Sequence, residues 1–293
     1  MTIENIVLQN ENFIAEIKIK GAELCRLYSK KLNKEIIWSG DPTYWGRHAP
    51  VLFPIVGKVK NNQYKVNGET YELGQHGFAR DFNFEVINRT KNSCSLQLSA
   101  TKETLKKYPF QFSFITKFNL NDNGITTSYN VENIDQRTIL FSLGAHPAFN
   151  CPFSEKSSLN DYKISLPFIE KSQLILLADN GLIGNKRIPF FNKNKSFKLS
   201  EQLFENDALI FDDLKSESLI IESHEESMKL VIAWENFPHL GIWKPANAPF
   251  ICIEPWQGMA DNENHNGNLE DKFGIIKLKE KDTHSASYSI EIN

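Results

Sequence analysis

Apolar residues recur at every second position through much of the chain. Phe112, Phe114, Thr116 and Phe118 fall on one face of a segment, and Phe13, Ala15, Ile17 and Ile19 oppose Ile14, Glu16 and Lys18. A period of two marks a strand with one buried face. Segments 125–131, 218–222, 229–234 and 285–292 read the same way. Asn67-Gly68 and Asn123-Gly124 lie between such segments and predict type I′ hairpin turns, whose two central residues need positive φ. Helical signals are short. Asp41-Pro42 predicts a brief turn running to Trp45, and 101–107 predicts one or two helical turns ended by Tyr108-Pro109. The polar stretch 185–200 reads as a loop or a weak hairpin. The pattern predicts an all-β protein: one large antiparallel β-sandwich domain spanning residues 1–293.

Composition sharpens this picture. The chain holds 21 Phe and 29 Asn against 14 Ala and 3 Met, a balance that favours strands and turns over helices. Hydrophobic residues make up 41%, enough for a large core, and the net charge of −3 carries no basic excess, which argues against a nucleic-acid partner. No apolar run reaches membrane-spanning length, and Met1-Thr-Ile-Glu-Asn5 lacks the pattern of a secretory leader. Cys25, Cys94, Cys151 and Cys252 are widely spaced, which suits reduced structural thiols in a cytoplasmic protein. Sequons at Asn88 and Asn194 carry little weight without secretion.

Candidate chemistry narrows by elimination and then by three unusual segments. The sequence has no glycine-rich dinucleotide or nucleotide loop, no serine-nucleophile elbow and no histidines at zinc-ligand spacing, so no cofactor and no metal is expected. Gln75-His76-Gly77-Phe78-Ala79-Arg80-Asp81 packs ionisable groups around a small-residue turn. Leu143-Gly144-Ala145-His146-Pro147-Ala148-Phe149 sets a histidine among apolar residues, where its pKa can be tuned for proton transfer. Ile251-Cys252-Ile253-Glu254-Pro255-Trp256-Gln257-Gly258 places a carboxylate at the end of an apolar strand, beside a tryptophan whose flat face suits a sugar ring. Each alone reads more simply as a packed histidine or a salt-bridged glutamate. Together they form a ready acid–base set.

These segments, with Trp45-Gly-Arg47-His48-Ala-Pro50 and Leu52-Phe-Pro-Ile-Val-Gly57-Lys58, resemble in order the aldose 1-epimerase (mutarotase) family, in particular its bacterial galactose mutarotase-like branch. The resemblance covers essentially the whole chain and implies a β-supersandwich and a small-molecule sugar substrate. It implies that Glu254 acts as base and His146 as acid in opening and reclosing the sugar ring, with His76 on the ring-oxygen side. That chemistry asks for an ionised Glu254 and a protonated His146 near neutral pH. Arg47 falls where the family places a sugar-contacting arginine. Asp207 is preferred to Asp212 and Asp213 as the sugar-binding aspartate, because it immediately precedes a strand. Trp243 and Trp256 are further stacking candidates, and Arg80 pairs either with substrate or with Asp81.

Two other readings stay open. Some relatives act on hexose 6-phosphates, and Arg47, Lys58 and Arg80 could cluster around a phosphate. A non-catalytic carbohydrate-binding protein on the same fold is the other, though a pure binder has no need of an acid–base pair. A glycoside hydrolase ranks low, since it needs two flanking carboxylates. A monomer or homodimer with no membrane partner is expected.

Overall fold

The computed structural model describes residues 5–178 and 180–293; the first four residues of the leader reading lie outside the described residues. Two large antiparallel sheets dominate. The nine-stranded sheet runs, edge to edge, through Ser196–Lys198, Tyr162–Ser165, Ser218–Ser223, Lys229–Glu235, Thr283–Ile292, Gly124–Asn133, Phe112–Leu120, Ser93–Ser99 and Glu85–Arg89. The eight-stranded sheet runs through Ile183–Pro189, Gln173–Leu177, Leu209–Phe211, His239–Trp243, Phe250–Gln257, Leu143–Ala145 and Val51–Leu52, with Ala148–Asn150 also pairing to Phe250–Gln257. A four-stranded sheet of N-terminal segments begins at Ile6–Gln9.

The alternation read from the sequence is the one the sheets use. Phe112, Phe114, Thr116 and Phe118 are all buried, as are Phe13, Ala15 and Ile17, while Ile19 lies past the strand end. Phe114, Phe118, Tyr129, Ile232 and Tyr288 of the nine-stranded sheet share one buried cluster with Leu240, Ile242, Ile251 and Ile253 of the eight-stranded sheet. That interface is the main core. Burying each such side chain contributes roughly 1.5–3 kcal/mol relative to exposure.

The central strands of the eight-stranded sheet are buried on both faces. In Phe250–Gln257 the odd residues Ile251 and Ile253 enter the main core, while Cys252 and Trp256 belong to two separate clusters on the other face. Glu254 has their parity, so it also faces away from the main core. It sits inside the strand, not at the end as the sequence suggested, because pairing continues past it on both sides, to Trp256 with His239–Trp243 and to Gln257 with Leu143–Ala145.

Local signals fared unevenly. Asn67 and Gly68 take φ of 51° and 85° in a two-residue turn closed by Val66 and Glu69, as a type I′ turn requires. The other hairpin differs. Leu120 pairs with Ile125, and the Asn121 side chain accepts from the Asn123 and Gly124 N–H groups, so the centre of the turn is Asp122-Asn123, with neither residue at positive φ. The Asn121 side chain replaces the backbone geometry that Asn-Gly would have supplied. Asp41 caps its turn through the Thr43 N–H, and Thr101 caps the helix Lys102–Leu105. The stretch 185–200 is a loop only in part: residues 190–195 connect Ile183–Pro189, which joins one large sheet, to Ser196–Lys198, which joins the other. Its polar residues suit edge strands, which face water on one side.

Candidate active site

Register explains how the acid–base residues meet. Gly144 is opposite Trp256, and Ala148 is opposite Cys252. Midway between them, the His146-Pro147 break lies across from Glu254, and the Pro147 carbonyl accepts the Ile253 N–H at 3.1 Å. Opposed residues of an antiparallel pair share a face. His146 Nε2 lies 3.1 Å from Glu254 Oε2, with the two residues 7% and 1% exposed. On the other side Glu254 faces Gly241. A Cβ at Gly144 or at Gly241 would strike the Trp256 indole, so these two glycines make the room in which Trp256 lies.

His76 approaches from the loop after the hairpin Gln63–Val66 and Glu69–Glu72. Its ring centroid is 5.7 Å from that of His146, nearly perpendicular to it. Its backbone sits at φ +66°, a left-handed conformation that the surroundings must hold in place. Gly57 does so reciprocally: its carbonyl accepts the His76 N–H at 2.8 Å, and its N–H donates to His76 Nδ1 at 3.1 Å. An acceptor at Nδ1 puts the proton of the neutral ring on Nε2.

Around this trio lies a cavity of about 480 Å³, lined also by Arg47, Arg80, Asp207, Trp243 and Trp256. That size lies within the range of small-molecule sites. Arg47 donates to Asp81 at 2.9 Å, while Arg80 donates to the Gln75 carbonyl at 2.7 Å and stands 4.0 Å from the same Asp81. Lys58 donates to the Asn180 carbonyl at 3.0 Å. Asp207 reaches the cavity, whereas Asp212 forms a two-pronged pair with Arg187 and Asp213 accepts from Ser172.

The sequence reading missed Trp45 and Gln75 as site residues. Trp45 stacks on His146 at 4.8 Å between centroids and 25° between planes, and Trp243 meets the same ring edge-on at 5.8 Å. The Gln75 side-chain amide stands 3.1 Å from His76 Nε2, and with the ring proton on Nε2 it is the amide oxygen that must accept there. Trp45 lies two residues before Arg47 and Gln75 one before His76, but only the tertiary fold brings them to the site.

Electrostatics corrects one expectation. Burial pushes the Glu254 carboxyl well above the usual carboxylate range, with Asp207 adding to the effect. Burial likewise pushes His146 down, to about 3, with Arg80 and Arg47 adding to it. Burial therefore holds both groups towards their neutral forms, not towards carboxylate and imidazolium. A low-dielectric site penalises the charged form of each group alone. The two side chains nonetheless stand 3.1 Å apart, close enough for a proton to pass between them. His76 is held well below its ordinary value by burial first and then by His146, Arg80, Arg47 and Lys272.

Among the described residues, one buried set could hold a metal ion: ligand atoms of His146, Cys252 and Glu254 lie within 4.8 Å of one another. Such donors suit zinc. Burial raises the Cys252 thiol well above its ordinary value, which disfavours the thiolate that a metal needs.

Two packed antiparallel sheets with a buried histidine–carboxylate pair opening on a cavity of metabolite size define a class of β-sandwich proteins with a small-molecule site. Within that class the chain belongs to the aldose 1-epimerase family, whose pattern it matches over residues 4–270. It is 34% identical over 301 residues to the chromosomal protein LacX of Lactococcus lactis subsp. lactis, covering 100% of this chain and 99% of that one. Among solved structures it resembles a galactose mutarotase related enzyme from Lactobacillus acidophilus, with a TM-score of 0.94, 34% identity, and 99% and 97% of the two chains covered. A galactose mutarotase-like protein from Lactobacillus casei gives 0.93, 30% identity, and 99% and 100% coverage. The fold is thus the galactose mutarotase-like supersandwich.

Proposed function

We propose that the protein interconverts the α and β anomers of an aldohexose. The observation that carries this reading is the buried His146–Glu254 pair, 3.1 Å apart at the base of the cavity. A sugar bound with O1 towards Glu254 and O5 towards His146 meets a base and an acid when the shared proton lies on His146. Glu254 takes the O1 proton, the C1–O5 bond breaks, and O5 takes the His146 proton. The ring opens to an aldehyde. Rotation about C1–C2 turns the other carbonyl face to O5, and the same transfers in reverse close the ring with both protons returned. Each positioned transfer typically contributes about 10²–10⁴-fold.

The surroundings favour the charged form that burial resists. Trp45 lies face-on to His146, and an aromatic face attracts an imidazolium. His76, with its ring proton on Nε2, would turn that N–H from Gln75 to the ring oxygen when sugar binds. Arg47 and Asp207 offer charged contacts to hydroxyls, and Trp243 and Trp256 offer apolar surface. The four free cysteines suit a reducing compartment.

A 6-phosphorylated hexose is the second reading. It is favoured by Arg47 and Arg80, which share the single carboxylate of Asp81 at the cavity rim. Saturation transfer between anomeric protons tests both, with glucose, galactose and glucose 6-phosphate. Acceleration by wild type and not by Glu254→Gln supports the reaction, and the preferred sugar chooses between the readings. Background exchange on every sugar, with contact still visible by saturation transfer from the protein, would move it to the non-catalytic binders.

A further inference from the structure

A buried charge pair beneath the cavity wall has no part in the proton transfers above. Lys272 and Asp261 have fully buried side chains, and Lys272 Nζ donates to Asp261 Oδ1 at 2.9 Å and to the Met259 carbonyl at 2.7 Å. Asp261 Oδ2 accepts the Lys60 N–H at 2.9 Å and faces His265 Nδ1 at 3.3 Å. The Asp261 backbone adds two bonds: its N–H to the Lys58 carbonyl and its carbonyl to the Ile183 N–H, both at 2.8 Å.

These contacts converge on one short segment. Asp261 holds Lys58 and Lys60 through two groups: its N–H donates to the Lys58 carbonyl and its carboxylate accepts the Lys60 N–H. Gly57 precedes them and packs directly on the Ala260 backbone, so closely that any Cβ there would overlap it. Gly57 is also the residue whose N–H fixes His76 Nδ1 as an acceptor. The path from the charge pair to the His76 ring is therefore one segment long.

We propose that Asp261 and Lys272 are positioning residues: they clamp 57–60 against 259–261 so that the Gly57 amide holds His76 in the Nε2–H form and at its left-handed backbone angle. The proposal deepens the mutarotase reading and rests on it for the effect on turnover. Isolated burial of two charges brings little net stability, because desolvation offsets their attraction. A pair kept under an active-site wall is better explained by the geometry it imposes. Its groups orient the residue that orients the donor, as outer partners do around metal ligands.

The test begins with the ring itself. Removing Lys272 alone strands a buried carboxylate and endangers folding, so the variant to make is Asp261→Leu with Lys272→Met, which removes both charges and keeps comparable volume. The ¹⁵N shifts of the His76 ring are read in wild type and in the folded double variant, without sugar. The expected result is a single Nε2–H form in wild type and a mixture of forms in the variant. Beyond burial, the charges of His146, Arg80, Arg47 and Lys272 hold the His76 pKa down, so losing Lys272 also raises it, which a pH series of the same spectra reads. With sugar, kcat should fall by about 10²-fold, the scale of a misplaced catalytic contact, with KM little changed. Unchanged His76 shifts in the folded variant would overturn the proposal, and so would a kcat equal to that of wild type. If wild-type protein turns over no sugar, the mutarotase reading fails while the ¹⁵N result still decides the clamp.

Discussion

Glu254 and His146 owe their chemistry to a 3.1 Å contact between two groups that burial drives towards neutrality. Glu254→Gln keeps shape and burial but removes the base. Its kcat should fall by about 10²–10⁴-fold with the circular dichroism spectrum unchanged. The pH dependence of stability follows from the same burial. The folded pKa of His146 is depressed to about 3, so its folded form binds fewer protons than the unfolded chain. Its contribution is present above about pH 6.5 and is lost as pH falls from there towards 3. Melting temperature followed from pH 7 to 4 should therefore drop less steeply in His146→Asn than in wild type. Equal slopes would remove His146 from the acid response. Trp45→Leu takes the aromatic face from the imidazole and should cost about 0.5–2 kcal/mol of transition-state stabilisation, roughly two- to thirtyfold in kcat. The acidic and basic residue types were legible in the sequence as three unusual segments. The stacking of Trp45 was not, because nothing local distinguishes a tryptophan on an imidazole from one in a core.

Strand Phe250–Gln257 shows how one element serves two purposes. Ile251 and Ile253 hold the sandwich together while Glu254 and Trp256 line the cavity, so neighbouring substitutions should have opposite effects. Ile253→Val should cost about 0.5–1.5 kcal/mol in chemical denaturation and leave kcat of the folded protein unchanged. Glu254→Gln, one residue on, should do the reverse. Loss of activity in Ile253→Val without loss of stability would contradict the two-face assignment. Alternation gave strands their existence and their faces. It gave neither their partners nor the strand interior around Glu254, since a doubly buried strand reads as a continuous apolar run. The turn at Asn123-Gly124 was displaced by one residue because the Asn121 side chain supplies its cap, and the strands within 185–200 were missed because polarity does not record which sheet a segment joins.

At the scale of the whole molecule, burial predicts how the thiols behave. Cys94, Cys151 and Cys252 are buried and Cys25 is half-buried, with Cys25, Cys94 and Cys151 all pushed up to about 12 by burial. An aromatic disulfide reagent should label the native protein slowly at pH 8 and all four thiols promptly in guanidinium. Rapid labelling of three or four thiols in the native state would mean that the two-sheet packing is looser than described. Among the described residues no helix is long and apolar enough to cross a membrane.

The sequence by itself determined the strand-rich class, the buried faces, one hairpin turn and the three segments whose histidines and glutamate share the cavity. Those are properties of residue type and of a period of two, and both are local. Only the tertiary structure decided that His146 stands across from Glu254, that Asp207 and not Asp212 or Asp213 reaches the cavity, and that Gly57 holds His76. Each depends on strand register or on loops meeting from distant parts of the chain. Register is a sum over many weak pairings along two strands, and no single residue carries it.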